Sequence, residues 1–254
     1  MSRAHEKVVE DQFGPRAMAY VQSAVHARGE DLDALESVVR RTAPERALDL
    51  GTGGGHVAYL LARYAKAVIA TDLSAEMLAA VAATAMARNV SNIETAEAPA
   101  ECLPFADASF DFLACRYSAH HWSDFNAGLR QARRVMKAGA PAIFIDAFSP
   151  APALLDTHLQ AVELLRDTSH VRDYSLAQWS ESLARSDFAI KSLQTWRLRM
   201  DFEVWIARMR TPECNRLAIR ALQAAASGVV REHYAIEPDG SFMLDIFMAE
   251  TAAV

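Results

Sequence analysis

The chain is poor in cysteine, poor in lysine and has no basic excess. Its three cysteines, Cys102, Cys115 and Cys214, show no C-x-x-C spacing. That argues against a disulfide framework or a cysteine zinc site and fits a reducing compartment. Lysine and arginine total 26 against 32 acidic residues, a net charge of −6, so no global basic field draws the chain to nucleic acid or to an anionic membrane. Of those 26, 22 are arginine, a bias more characteristic of genomic composition than of a site. No uncharged apolar run approaches the ~20 residues that span a bilayer. The opening Met1-Ser2-Arg3-Ala4-His5-Glu6-Lys7 has no apolar signal stretch. A cytoplasmic protein with neither a membrane nor a nucleic-acid partner is expected. Internal repeats and low-complexity tracts are also missing. What is present is an ordinary globular composition, 52% apolar and 23% charged, in 254 residues that suffice for a full core.

Helical periodicity alternates with short apolar runs. Val8, Val9, Phe13, Ala17, Tyr20, Val21 and Ala24 recur at three- and four-residue intervals, and 31–39 repeats the pattern. Strands are expected at 46–50, 67–71, 93–96, 110–115 and 141–148. Between them lie helices at about 56–65, at 75–88 with Ser74 as N-cap, and after Asp124. Beyond Pro150 the rhythm changes: helices at 153–165 and 176–186 flank a polar, irregular stretch at 166–174. A strand near 189–198, helical composition over 201–228, and a closing strand or hairpin from 234–236 and 241–248 follow. This predicts an α/β fold: a Rossmann-like, doubly wound, mostly parallel seven-stranded sheet with an antiparallel edge, an insertion of two helices between its last strands, and helical cap elements. Three parts are expected: an N-terminal helical cap (1–42), a cofactor-binding core (43–150), and a C-terminal part of the sheet with cap insertions (151–254).

The chemistry concentrates early. Residues 47–56 read Ala-Leu-Asp-Leu-Gly-Thr-Gly-Gly-Gly-His, and a second apolar run, Ala67-Val68-Ile69-Ala70, ends at Asp72. Glycines let backbone pass close to a ligand, and a carboxylate on the next strand can take ribose hydroxyls. A dinucleotide fingerprint starting at Gly51 needs glycine at 56, where His56 stands, which disfavours a nicotinamide oxidoreductase. The spacing instead resembles the first motif, D/E-x-G-x-G-x-G, of the class I S-adenosylmethionine-dependent methyltransferases. Asp72-Leu73-Ser74-Ala75-Glu76-Met77-Leu78 matches that family's D-x-S-x-x-M-L. Ala100-Glu101-Cys102-Leu103-Pro104-Phe105 with Ser109-Phe110-Asp111 matches its A-E-x-L-P-F…S-F-D. Residues 116–122, 166–172 and 205–212 are similar to the YafE-like bacterial subgroup, which carries the UbiE/methyltransferase type 11 domain.

The resemblance implies S-adenosyl-L-methionine as cofactor and S-adenosyl-L-homocysteine as product. Asp49 would reach the cofactor's ammonium, directly or through water, and Gly51, Gly53 and Gly55 would offer bare backbone to its methionine end. Asp72 would take the ribose hydroxyls, Leu73 and Met77 would face the adenine, and Ala100 backbone with Glu101 would read the adenine edge. Arg116 completes the expected set. Two departures stand out: Pro99 occupies a position usually Asp or Asn, and Lys137-Ala138-Gly139-Ala140 softens the family's K-P-G-G.

The acceptor side is less determined. His120 and His121 follow the fourth strand, where the methyl group should point, and either is a candidate base or orienting group. The competing reading is a helix start whose histidines cap and pack. His120 and Asp124 stand one helical turn apart, but two ligands do not make a site, so no metal is read. Tyr20 and His26, with Phe13, are candidates for a lid and for substrate contact. Arg208 and Arg210 belong to an arginine-bearing segment that suggests an acidic or carboxylated acceptor, or else is a solvated helix face. The expected activity is methyl transfer to a small-molecule acceptor by in-line displacement, with homodimerisation left open. The alternatives are a nucleic-acid or protein methyltransferase, and a cofactor-binding protein without catalysis. Base methylation is disfavoured because Cys115-Arg116-Tyr117-Ser118 stands where such enzymes often carry [D/N]-P-P-[Y/F/W].

Overall fold

Apolar side chains alternate along the central strands and so build a sheet covered on both faces. In β1 (Arg46–Leu50), Ala47 enters one core and Leu48 and Leu50 the other. In β4 (Phe112–Arg116), Phe112 and Ala114 oppose Leu113 and Cys115; in β5 (Pro141–Ala147), Ile143 and Ile145 oppose Ala142 and Phe144. With β2 (Ala67–Asp72), β3 (Ile93–Glu97), β6 (Phe188–Met200) and β7 (Phe242–Ala253), these form a seven-stranded sheet of order β3-β2-β1-β4-β5-β7-β6. The first five strands are parallel, and β7 runs antiparallel to both of its neighbours. The computed structural model describes residues 2–17 and 29–254, so Tyr20 and His26 lie outside the described residues.

Ten helices among the described residues surround the sheet: α1 (Ser2–Phe13), α2 (Glu30–Thr42), α3 (His56–Leu61), α4 (Ala75–Ala87), α5 (Phe125–Val135), α6 (Ala153–Arg166), α7 (Leu176–Arg185), α8 (Phe202–Met209), α9 (Glu213–Ala225) and α10 (Gly228–His233). Leu35, Val38 and Val39 of α2 and Val57 and Leu61 of α3 cover one face. Leu129, Ala132 and Val135 of α5 and Trp179 and Leu183 of α7 cover the other. A third core joins α6, α8, α9 and α10 to Phe242, Leu244 and Ile246 of β7. Ser74 caps α4 by accepting from Met77 N–H at 3.1 Å, as its position before the helix predicts. No helix among the described residues is long and apolar enough to cross a membrane.

Three local expectations are corrected. The insertion between β6 and β7 holds three helices, not two. Residues 234–236 form no strand: Tyr234 ends α10, its ring is buried in the third core and its hydroxyl donates to Leu155 O at 2.9 Å. The aromatic that suggested a strand serves the cap instead. Phe110 precedes β4 as an isolated bridge to Met136 rather than as its first residue.

Candidate active site

The loop from Gly51 to Gly55 leaves the tip of β1 and turns into α3. Thr52 N–H donates to Thr71 O at 2.7 Å and Gly55 N–H to Thr52 O at 2.9 Å, which ties the turn to β2. Its glycines serve different ends. At Gly51 (φ +74°) a Cβ would lie 1.9 Å from Ser118 Oγ, and at Gly55 (φ +80°) one would lie 2.8 Å from the Tyr59 ring. At Gly53 (φ +50°) nothing stands within 4 Å. The protein's own packing demands the first two glycines; Gly53 faces open space.

That space is a cavity of about 130 Å³, lined by every cofactor residue expected from the sequence except Gly55. Gly55 is excluded because its backbone turns against Tyr59. Asp49 is buried, with Thr52 Oγ1 donating to its Oδ2 at 2.6 Å, and burial pushes its carboxyl up to about 7. An acid so placed calls for a cationic partner. Asp72 Oδ2 accepts from Gly53 N–H at 2.9 Å and Oδ1 from Ser74 N–H at 3.0 Å, while burial raises its pKa. A carboxylate oxygen can accept more than one hydrogen bond, so both atoms retain capacity for a hydroxyl. These features fit an adenosyl sulfonium: an acid for its ammonium, a second for its ribose, and a bare backbone position between them.

Two other expected residues have structural work as well. Glu101 Oε1 accepts from Ser123 N–H (2.8 Å), Ser123 Oγ (3.0 Å) and Asp124 N–H (3.2 Å), which fastens the loop before α5. Arg116 Nε donates to Asp31 Oδ2 at 2.6 Å in a buried ion pair that anchors β4 to α2. On the other side of the cavity, α1 contributes His5, Glu6, Val9 and Phe13.

A second cavity, of about 100 Å³, shares Phe13, Tyr117 and His121 with the first. Tyr117 holds a left-handed backbone (φ +52°) where β4 passes into a 3₁₀ turn at Ala119–His121, a conformation that costs a non-glycine residue energy and recurs at functional sites. The two histidines then diverge. His120 Nδ1–H donates to Asp146 Oδ1 at 2.5 Å. Burial opposes its charge, but the charge of Asp146 and this hydrogen bond outweigh that and raise it to about 9. His121 Nδ1–H donates to Ser169 O at 3.1 Å. Burial, reinforced by the charge on His120, lowers His121 to about 4. Near neutrality His120 is an imidazolium and His121 is neutral. The Ser169 carbonyl can only accept, and the Ser169 hydroxyl, 3.3 Å from the same nitrogen, gives its proton to Asp167 Oδ1 at 2.6 Å, so the His121 proton sits on Nδ1 and Nε2 carries the lone pair.

Arg208 lines the second cavity, whereas Arg210 lines neither. Arg210 is exposed at the left-handed C-cap of α8 (φ +52°). Asp124 is an exposed cap that accepts from Ala127 N–H at 2.8 Å, so the acid beside His120 is Asp146. Sequence reasoning missed Asp146, Glu163, Arg166, Asp173 and the role of Tyr117. For Asp146 a signal existed: it is a lone carboxylate inside an apolar strand. Asp173 lay in a stretch whose polarity reads as loop.

Comparison with known proteins accords with this geometry. A methyltransferase domain model matches residues 48–144. The Escherichia coli K12 protein YafE is 44% identical over 200 residues, 79% of this chain and 97% of YafE. The Bacillus subtilis methyltransferase YcgJ is 34% identical over 227 residues, 89% of this chain and 90% of YcgJ. The crystal structure of YcgJ superposes with a TM-score of 0.84 at 31% identity, over 87% of this chain and 97% of that one. Taken with the acid-flanked glycine turn and the 3-2-1-4-5-7-6 sheet, these likenesses make the chain a member of the class I S-adenosylmethionine-dependent methyltransferases.

Proposed function

We propose that this enzyme methylates a small-molecule acceptor held in the second cavity, with the cofactor in the first. The observation that carries this reading is His121, which stands on the wall common to both cavities with an unprotonated Nε2. Asp49 would hold the ammonium of S-adenosyl-L-methionine, Asp72 its ribose, Gly53 its methionine backbone, and Leu73 with Met77 its adenine. Bound there, the cofactor supplies a methyl group already activated on sulfonium and leaves as neutral S-adenosyl-L-homocysteine.

The chain's own task is to position the acceptor and manage one proton. His121 Nε2 accepts a hydrogen bond from the acceptor's O–H or N–H. Were the acceptor's lone pair to bond to the methyl carbon as the carbon–sulfur bond broke, the proton made acidic on that atom would have His121 Nε2 to receive it. A base near pKa 4 is weak, which suffices for a heteroatom that has just been alkylated. The His120–Asp146 pair keeps a positive charge beside His121 and so holds it ready to accept. Leu198, Met200, Trp205 and Leu244 give the acceptor an apolar wall, and Glu163, Arg166, Asp167 and Arg208 give it polar partners. Helix α1 flanks the first cavity through His5, Glu6, Val9 and Phe13, and Phe13 reaches the second as well.

The test is transfer of a labelled methyl group from the cofactor into a whole-cell lysate, which is then separated into low-mass, protein and nucleic-acid fractions and read by mass spectrometry. Label in a low-mass product is expected. Label confined to protein or nucleic acid would overturn the reading in favour of a macromolecular acceptor.

A further inference from the structure

We propose that His120, Asp146 and Asp173 form a binding site for a divalent transition metal, with Mn2+ and Zn2+ the natural candidates, at the second cavity. The fold brings these residues together from three places: the turn after β4, the end of β5, and the irregular segment between α6 and α7. One ligand atom from each lies within 4.8 Å of the other two. Ligands at 2.0–2.2 Å from a metal stand roughly 3–4 Å apart, so an inward shift of about 1 Å completes the set. One imidazole with two carboxylates suits borderline and hard divalent ions.

A second observation points the same way. Asp146 Oδ2 and Asp173 Oδ2 are both buried and have no hydrogen-bond partner among the described residues. Their side chains are 2% exposed. Asp146 spends its other oxygen on His120 Nδ1–H and Ala147 N–H. Beside Asp173 Oδ2 the His170 ring stands off at 3.9 Å, its Nε2 hydrogen-bonded to Gln160 at 3.0 Å. Buried carboxylate oxygens without donors are costly and rare in folded proteins. Of the arginines nearby, Arg166 pairs with Glu163 at 3.3 Å and Arg172 with Asp156 at 2.7 Å. Burial pushes the Asp173 carboxyl up to about 8, the response of an acid that lacks a cationic partner, and a divalent ion would supply one.

Such a cation would replace the proton shared by His120 and Asp146, so the positive charge beside His121 would stay. Three protein ligands leave coordination positions open to the cavity. Where the proposed methyl transfer holds, this deepens it by naming the acceptor class: a small molecule bound through a hydroxyl or carbonyl oxygen. A metal-bound hydroxyl gives up its proton more readily, which matches the weak base at His121.

The experiment titrates the full chain, stripped with a chelator, with Mn2+ and separately with Zn2+ in a calorimeter, and measures cofactor affinity on the same sample. One equivalent per chain is expected. Asp173→Asn should bind at least tenfold more weakly with its circular dichroism and its S-adenosyl-L-methionine affinity unchanged, since Asp173 does not line the first cavity. Should that variant misfold, the wild type alone decides: Mn2+ must raise its melting temperature. No stoichiometric uptake, uptake that Asp173→Asn leaves intact, or stabilisation by alkylammonium ions but not by metal would each overturn the site. A chain that binds cofactor but no metal fails this inference alone, and one that binds metal but no cofactor fails the other reading.

Discussion

Gly51 and Gly53 share a left-handed backbone yet should respond differently to the same substitution. An alanine at either position incurs about 1–2 kcal/mol of backbone strain. At 53 its methyl enters open space, so the fold should survive while cofactor affinity drops at least tenfold. At 51 it meets Ser118 Oγ, and overpacking adds to the strain for a loss of roughly 3 kcal/mol. Chemical denaturation and calorimetry on the two variants separate these effects. Asp49 makes a pH prediction. Its folded value of about 7 lies above its ordinary 3.8, so ionisation costs stability, a cost that appears as pH rises through 3.8 and is complete above 7. An ammonium ligand needs the ionised form. Affinity for S-adenosyl-L-methionine should therefore be level at pH 8 and fall about tenfold per unit below 7; a flat profile would remove Asp49 from the cofactor's ammonium. His121→Ala should reduce kcat by roughly 10²–10⁴ with a far smaller change in cofactor affinity. Equal losses in both would make this histidine a wall rather than a base.

Among the elements, α1 invites the clearest test. It lines the first cavity, and its His5 Nε2 donates to His121 O at 2.9 Å, yet among the described residues neither of the two cores flanking the sheet contains one from α1. Besides that bond it is held by Phe13, which packs with Ala17, Met77 and Ala80 and meets the His121 ring edge-on at 5.0 Å. Deleting residues 1–16 should leave the sheet folded and speed cofactor dissociation at least tenfold in stopped-flow fluorescence; an unchanged rate would make α1 a bystander. The elements differ in how far the sequence disclosed them. β1 and β5 were legible because central parallel strands are mostly apolar, each broken here by a single carboxylate near its C-terminal end, and are followed by turn residues. Asp49 and Asp72 were legible as a pair because both sit at the tips of adjacent strands, β1 and β2, whose register sets Asp49 beside Ala70. Tyr234 misled because an aromatic before a turn signals a strand and a cap core equally. The division between His120 and His121 was out of reach: adjacent residues look alike until Asp146 and Ser169, 26 and 48 positions downstream, choose between them. Asp146 and Asp173 meet only through the fold, and no spacing rule joins them.

At the scale of the whole molecule, the first cavity, proposed above as the cofactor site, is lined by α1 and by the first half of the sheet, and ligand binding should tighten both. Saturation at a hundredfold excess over Kd is worth about 2.7 kcal/mol, which in a chain of this size raises Tm by roughly 5–10 °C. Differential scanning fluorimetry with S-adenosyl-L-homocysteine checks this, and no shift at saturation would mean that the cavity takes another ligand. The position of β7 carries a further consequence for biosynthesis. This strand is translated after all the others yet lies between β5 and β6. The glycine turn and its two acids can be in place while the ribosome is still decoding the cap, but the chamber walled by Leu198, Met200 and Leu244 cannot exist until β7 slots in. If the two cavities hold donor and acceptor as proposed, a nascent chain would have a place for the methyl donor before it has anywhere to seat a recipient, and competence to react would arrive only with β7.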